Sequence, residues 1–229
     1  MEKCKVIVSD KSFSYLLTRK QVKNINLRIG TNGDIVVSAN PFVPKNKIDE
    51  FVSTKIKWIL EKQSKVSRHA SISATNYNKK RVWLFGFELK IKVIAAKYNK
   101  VVYDKEKINV YLKDEELLDK VLNNFLKKLS NDVFNDIFEI TYKHLNNDYE
   151  LLKPTLKIRS MTSRWGSCMP KKNIITLNSK LIHYPIEFIE YVCLHEYVHL
   201  IQPNHSKAFY NIIENYMPNY KEVIEQALS

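Results

Sequence analysis

Around residue 112 the hydrophobic pattern of this chain changes its period. Before that point, short runs alternate apolar and polar residues, as half-buried strands do. Lys5–Val8 and Phe13–Leu17 flank a Ser-Asp-Lys turn, and Asn24–Ile29 and Ile35–Ser38 flank Thr31-Asn32-Gly33. Asn-Gly supplies the positive φ angles of a tight hairpin turn. Segments 81–94 and 101–112 alternate in the same way. Beyond Asp114, the apolar residues Leu118, Val121, Leu122, Phe125, Leu129, Val133, Phe134, Ile137 and Phe138 step by three and four. That period predicts one long amphipathic helix, or two in tandem, as far as about Asn146. Asp114, Glu115 and Glu116 stand in its first turn, where the helix dipole favours acids. The fold class is therefore α+β: a β-rich N-terminal region, 1–112, followed by a mostly helical region with a small sheet, 113–229.

Smaller elements fit into this frame. After the NPFVP break at 40–44, apolar residues from Lys45 to about Lys65 recur at helical spacing, and the polar stretch 67–80 predicts a loop. Thr155–Arg159 and Ile174–Asn178 are expected strands on either side of MTSRWGSC. Pro185 is placed to start a helix at its first position. A further helix spans 206–217, and a short last one ends near Leu228. No internal repeat is visible.

Several function classes fall away on composition. No apolar run approaches the roughly 20 residues of a membrane span. The first residues lack the apolar stretch of a secretory signal, and Cys4, Cys168 and Cys193 are too scattered for a disulfide framework. A cytoplasmic protein with no membrane partner is expected. The net charge of +13 is unevenly placed. Residues 1–110 hold 23 basic against 9 acidic side chains, a net of +14, and residues 111–229 hold 14 against 15, a net of −1. A basic first half suits a nucleotide or nucleic-acid partner. Against this, the basic residues are 31 Lys and only 6 Arg, whereas bidentate phosphate recognition favours Arg.

The chemistry concentrates in LHEYVHLIQPNH, residues 194–205. His195 and His199 lie four apart on the predicted helix, so both rings project from one face. Two imidazole nitrogens so placed can reach a single ion at the ~2.0–2.1 Å that zinc prefers. Glu196 falls beside such an ion rather than on it, where it can take a proton from water. A catalytic zinc usually takes three protein ligands. Pro203 stops the helix and the chain then delivers His205, at the interval metzincins use; those proteins turn at a glycine, where this chain has Gln202 and Pro203. The competing third ligand is Glu214 on the next helix. His69, His144 and His183 lack such neighbours and are not expected to be ligands.

With RSMTSRWGSC (159–168), NIITLNSKL (173–181), YPIEFIEYVCLHEYVH (184–199) and NHSKAFYNIIENYMPNY (204–220) in order, the chain resembles the YgjP-like metal-dependent hydrolases, relatives of the SprT and WLM zincin-type metalloproteases. The N-terminal segments NINLRIGTNGDIVVSANPFVP, FVSTKIKWIL and WLFGFELKI also fit, so the likeness spans nearly the whole chain. It implies a zincin-like metallopeptidase domain over 113–229 with an HExxH active-site helix. It implies Zn2+ held by His195, His199 and His205, with Glu196 as catalytic base. Tyr197 stands where the family has leucine, so local packing is expected to differ.

Arg159 and Arg164 are candidate substrate-binding residues, for a carboxylate, a phosphate or a developing oxyanion. Trp165 and Gly166 are expected to shape a turn, and Cys168 to be a small core residue rather than a ligand. The leading expectation is a zinc-dependent hydrolase acting on peptides or proteins. A second is a nucleoside triphosphate pyrophosphatase, an activity assigned to some members of the family. A histidine-rich single site speaks against it, because phosphoryl chemistry generally wants carboxylate-held Mg2+ or two metals. A third is a DNA-associated protease or nucleic-acid-binding module docked through the basic half.

Overall fold

The structure, a computed structural model, describes residues 1–8, 11–30, 33–63 and 80–228. Contacts divide the chain into two compact units, Met1–Ser71 and Ile72–Ser229. The predicted turn at Ser9-Asp10, most of the Thr31-Asn32-Gly33 turn, the 67–80 loop up to residue 79, and His69 lie outside the described residues.

In the first unit β1 (Glu2–Val8), β2 (Lys11–Arg19), β3 (Asn26–Ile29) and β4 (Ile35–Ala39) form a four-stranded sheet in the order β1-β2-β4-β3. The outer pairs are antiparallel and the central pair β2–β4 is parallel. Gly33 has φ +85°, the left-handed backbone that glycine adopts without a Cβ penalty, so the second predicted hairpin is present. Helix α1 (Lys45–Thr54) buries Ile48 and Val52, one turn apart, against Tyr15, Leu17, Ile35, Val37 and Ala39. The Tyr15 hydroxyl donates to Asp49 at 2.6 Å. The helical pattern expected to run on to about residue 65 is interrupted by a turn at Lys55, whose amide donates to Val52 O, and resumes over 56–63.

The second unit begins with another four-stranded sheet: β5 (Arg81–Leu84), β6 (Phe87–Ala95), β7 (Lys100–Tyr103) and β8 (Lys107–Leu112), in the order β5-β6-β8-β7. Its central pair is again parallel and its outer pairs antiparallel. The strand order and pairing senses of the first sheet are thus repeated, without a repeat visible in the sequence. The sequence pattern groups 81–112 with the basic N-terminal region, yet Val82, Leu84, Leu89, Ile91, Ile108, Val110 and Leu112 share one hydrophobic core with the C-terminal helices. A strand is assigned to a unit by what its apolar face packs on, and alternation alone does not say what that is.

Helix α2 (Leu118–Tyr149) is continuous over 32 residues rather than two helices in tandem. A 3-10 turn, Glu115–Leu117, leads into it, capped by the Asp114 side chain accepting from Glu116 N at 3.0 Å. A three-stranded sheet follows, β9 (Thr155–Arg159), β10 (Gly166–Met169) and β11 (Ile174–Asn178), in the order β10-β11-β9. The last three helices are α3 (Ile186–Ile201), α4 (Lys207–Tyr216) and α5 (Tyr220–Leu228). Pro185 occupies the cap of α3, one position before the place expected for it. Helix α3 is apolar on most sides and buried, with Phe188, Ile189, Val192, Cys193, Tyr197 and Val198 in the core. Tyr197, unusual beside the family pattern, places its ring 4.7 Å from Phe138 and donates its hydroxyl to Phe138 O. No helix among the described residues is long and apolar enough to cross a membrane.

Candidate metal centre

Helix α3 supplies two histidines one turn apart, and the chain stops it in time to supply a third. At Gln202 the backbone turns extended, with φ −129°, and Pro203 follows. The turn that metzincins build on glycine is held here by one side-chain and one backbone hydrogen bond. Gln202 Nε2 donates to Ser206 Oγ at 3.1 Å, and Ser206 N donates to Asn204 O at 2.7 Å. His205 is thereby carried back over α3. One ring nitrogen of each of His195, His199 and His205 lies within 4.8 Å of the others. Phe209, in the first turn of α4, stands 4.7–4.9 Å from all three rings, centroid to centroid, and so forms a common rigid base. Glu214 is exposed and is not part of this group.

The donor set fits a zinc ion. His195 Nε2 and His205 Nε2 face each other at 3.0 Å. Two ligands on a tetrahedral ion with ~2.0–2.1 Å bonds stand about 3.3 Å apart, so little movement separates the two arrangements. Burial, helped by the neighbouring His199 and His205, lowers the His195 pKa to about 4, and burial lowers that of His199 as well. Both rings are therefore neutral near pH 7, with a lone pair free for a metal. The Tyr191 hydroxyl lies 3.4 Å from His195 Nδ1, on the side away from the cluster, where it can orient the ring.

Glu196 is only 6% exposed, and burial raises its pKa to about 7, with Arg164 pulling the other way. Its place depends on Gly166 in β10. A Cβ there would come within 2.6 Å of both Glu196 Cγ and Oε1, so no larger residue fits without moving the carboxylate. The segment expected only to turn is thus a strand whose first residue makes room for Glu196. Trp165 packs on Tyr184 and Phe188 and anchors that approach.

Arg164 lines the histidine cleft, a space of about 450 Å³ shared with Ser167, Cys168 and Pro170. Asn178 holds the loop that carries it. The Asn178 side chain donates to Met161 O and Arg164 O and accepts from Met161 N, and its backbone N donates to Trp165 O. That work was not assigned to Asn178 from the sequence, although it closes the strand expected over Ile174–Asn178. Phe209 likewise ends the NHSKAF motif, where only the histidine drew notice. Arg159 does not line the cleft; it belongs to a separate groove across β9. Cys168 is half-buried in the cleft wall, and burial pushes its thiol up to about 11. His183 is buried, with Nδ1 donating to Trp83 O at 2.7 Å, and His144 is exposed on α2.

No curated protein matches this chain. Among solved structures, the metallopeptidase zymogen jannalysin of Methanocaldococcus jannaschii is similar at 23% identity, over 41% of this chain and 85% of that one, with a TM-score of 0.36. The metallopeptidase zymogen abylysin of Pyrococcus abyssi is similar at 23% identity, over 41% and 90%, with a TM-score of 0.37. The YgjP-like metallopeptidase domain matches residues 23–227, so the chain belongs to the YgjP-like metallopeptidase family.

Proposed function

We propose that this chain is a zinc-dependent peptidase in which His195, His199 and His205 hold the metal and Glu196 is the general base. The observation that carries this reading is the convergence of three imidazole nitrogens within 4.8 Å beside a buried carboxylate. A zinc ion held by these three histidines would supply Lewis acidity toward a water and a peptide carbonyl. The chain's own groups do the rest. A Glu196 carboxylate oxygen accepts the proton of the attacking water and returns it to the departing amine nitrogen. A carboxylate whose charged form is disfavoured by burial takes up a proton readily, which suits that task. The Arg164 guanidinium, exposed in the same cleft, donates to the negative charge that develops on the former carbonyl oxygen. Tyr191 and Phe209 keep His195 in orientation.

Peptide hydrolysis by the zinc-loaded protein tests this reading. Glu196→Gln should lower turnover by about 10²–10⁴-fold while zinc stays bound. Full turnover in that variant would refute the general base. Nucleoside triphosphates assayed in parallel should not be hydrolysed at the cleft. Arg159, one of the two arginines suited to hold a phosphate chain beside the metal, lines a different groove.

A further inference from the structure

A second depression opens on the same unit, and its wall is chemically unlike that of the histidine cleft. It has a volume of about 430 Å³ and shares no lining residue with the cleft. Lys127 from α2, Arg159 from β9 and Lys180 from the 3-10 turn after β11 line it, and no carboxylate does. None of these three cations has an ion-pair partner among the described residues. This concentration is local, since residues 111–229 as a whole carry a net of −1.

The fold brings together the backbone positions that carry these cations. The parallel pairing of β9 with β11 sets Arg159 beside Asn178. The Asn178 side chain in turn caps the following turn by accepting from Lys180 N at 3.2 Å. Lys127 stands one helical turn from Asn123 and one from Asn131, so that α2 presents a polar stripe to the groove. Ser160 and Ser179 add hydroxyl donors at the rim, and Ile158 and Ile182 make an apolar floor. Like charges gathered over a floor of low polarity repel one another and focus a positive potential outward.

We infer that this groove binds a small oligophosphate at a site separate from the histidine cleft. A single carboxylate would leave two of the cations uncompensated, whereas a chain of phosphoryl groups carries the charge to match all three. The Arg159 fork suits two oxygens of one phosphoryl group, and the lysines act as point charges on its neighbours. The volume lies within the roughly 300–1,000 Å³ of small-molecule sites. This inference does not depend on the proposed peptidase chemistry.

Titration calorimetry of the full chain with inorganic tripolyphosphate is the test, with citrate as a carboxylate of comparable charge. Tripolyphosphate should bind at least tenfold more tightly than citrate, and the double substitution Arg159→Ala, Lys180→Ala should weaken it at least tenfold. Lys153→Ala, which removes a cation paired with Glu139 away from the groove, should leave the affinity unchanged. Thermal melts of the variants guard against misfolding, and Arg159→Lys, which keeps the charge and loses the fork, should fall between wild type and the double variant. No binding at low salt, equal affinity for citrate, or binding abolished by His199→Ala or Arg164→Ala instead would each overturn the assignment.

Discussion

The β1–β4 and β5–β8 sheets have the same strand order and the same pairing senses, and each is followed by a helix. What surrounds them differs. The first closes on an apolar core of its own, with Tyr15, Leu17, Val37, Ile48 and Val52 at its centre. The second is continued by α2, a three-stranded sheet and three more helices, and all the buried polar residues of the described chain lie in this unit: Ser130, Thr176, Asn178, His183 and Glu196. Burying a polar group costs free energy unless it finds a partner. Asn178, His183 and Ser130 find theirs in the backbone. Glu196 keeps a raised pKa instead and faces the histidines. One topology thus serves once as plain packing and once as the foundation of a polar site, and the difference lies in the segments added after it.

If that separation of packing from chemistry is right, damage to the two regions should be read out differently. The largest effect on stability is expected from Leu17→Ala in the first core, about 2–5 kcal/mol. Hydrogen exchange should place the loss within residues 1–63, and zinc content should stay as in the wild type. Loss of zinc from this variant would break the comparison. Gly166→Ala is the complementary change. It pushes Glu196 by the width of a methyl group and should lower peptide hydrolysis by about 10²-fold, because small misplacements of a catalytic group are costly. Metal content should hold, and unchanged turnover would show that the carboxylate's position does not matter.

The smallest expected effect is acid sensitivity in the first unit. Burial works against ionisation of Asp49, but hydrogen bonds from Lys45 and Tyr15 outweigh it and hold its pKa below the ordinary carboxylate value. A depressed folded-state pKa means the contribution is present above the ordinary carboxylate range and is lost as pH falls through the folded value. For the half-exposed Lys45 pair this amounts to about 0.3–0.5 kcal/mol. Thermal melts of Asp49→Asn should therefore differ from wild type at pH 7 and converge with it at acid pH. A constant difference across that range would assign the effect to something other than charge.

The parts of the site visible in the sequence were those fixed by local geometry. Helical spacing pairs His195 with His199, and a proline between His199 and His205 lets the third ring return. The rest depends on which segments meet in space. Gly166 gives no local sign that its missing Cβ leaves room for a residue 30 positions later. The turn at Gln202 is made by a contact to Ser206 that only the folded path allows. Arg159 and Arg164 look alike in the sequence, but one lies on β9 across from Asn178 and the other in the loop before β10, so they line different depressions. The repeated sheet topology escaped notice because alternation fixes which face of a strand is buried and leaves its partners open.

Zinc content per chain, measured by elemental analysis on ligand variants, tests the central claim most directly. With His195, His199 and His205 as the ligand set, wild type and Glu214→Ala should each carry about one zinc, while His199→Ala and His205→Ala should carry almost none. A His205→Ala protein that keeps its zinc while Glu214→Ala loses it would contradict the assignment of the third ligand and the turn that delivers it.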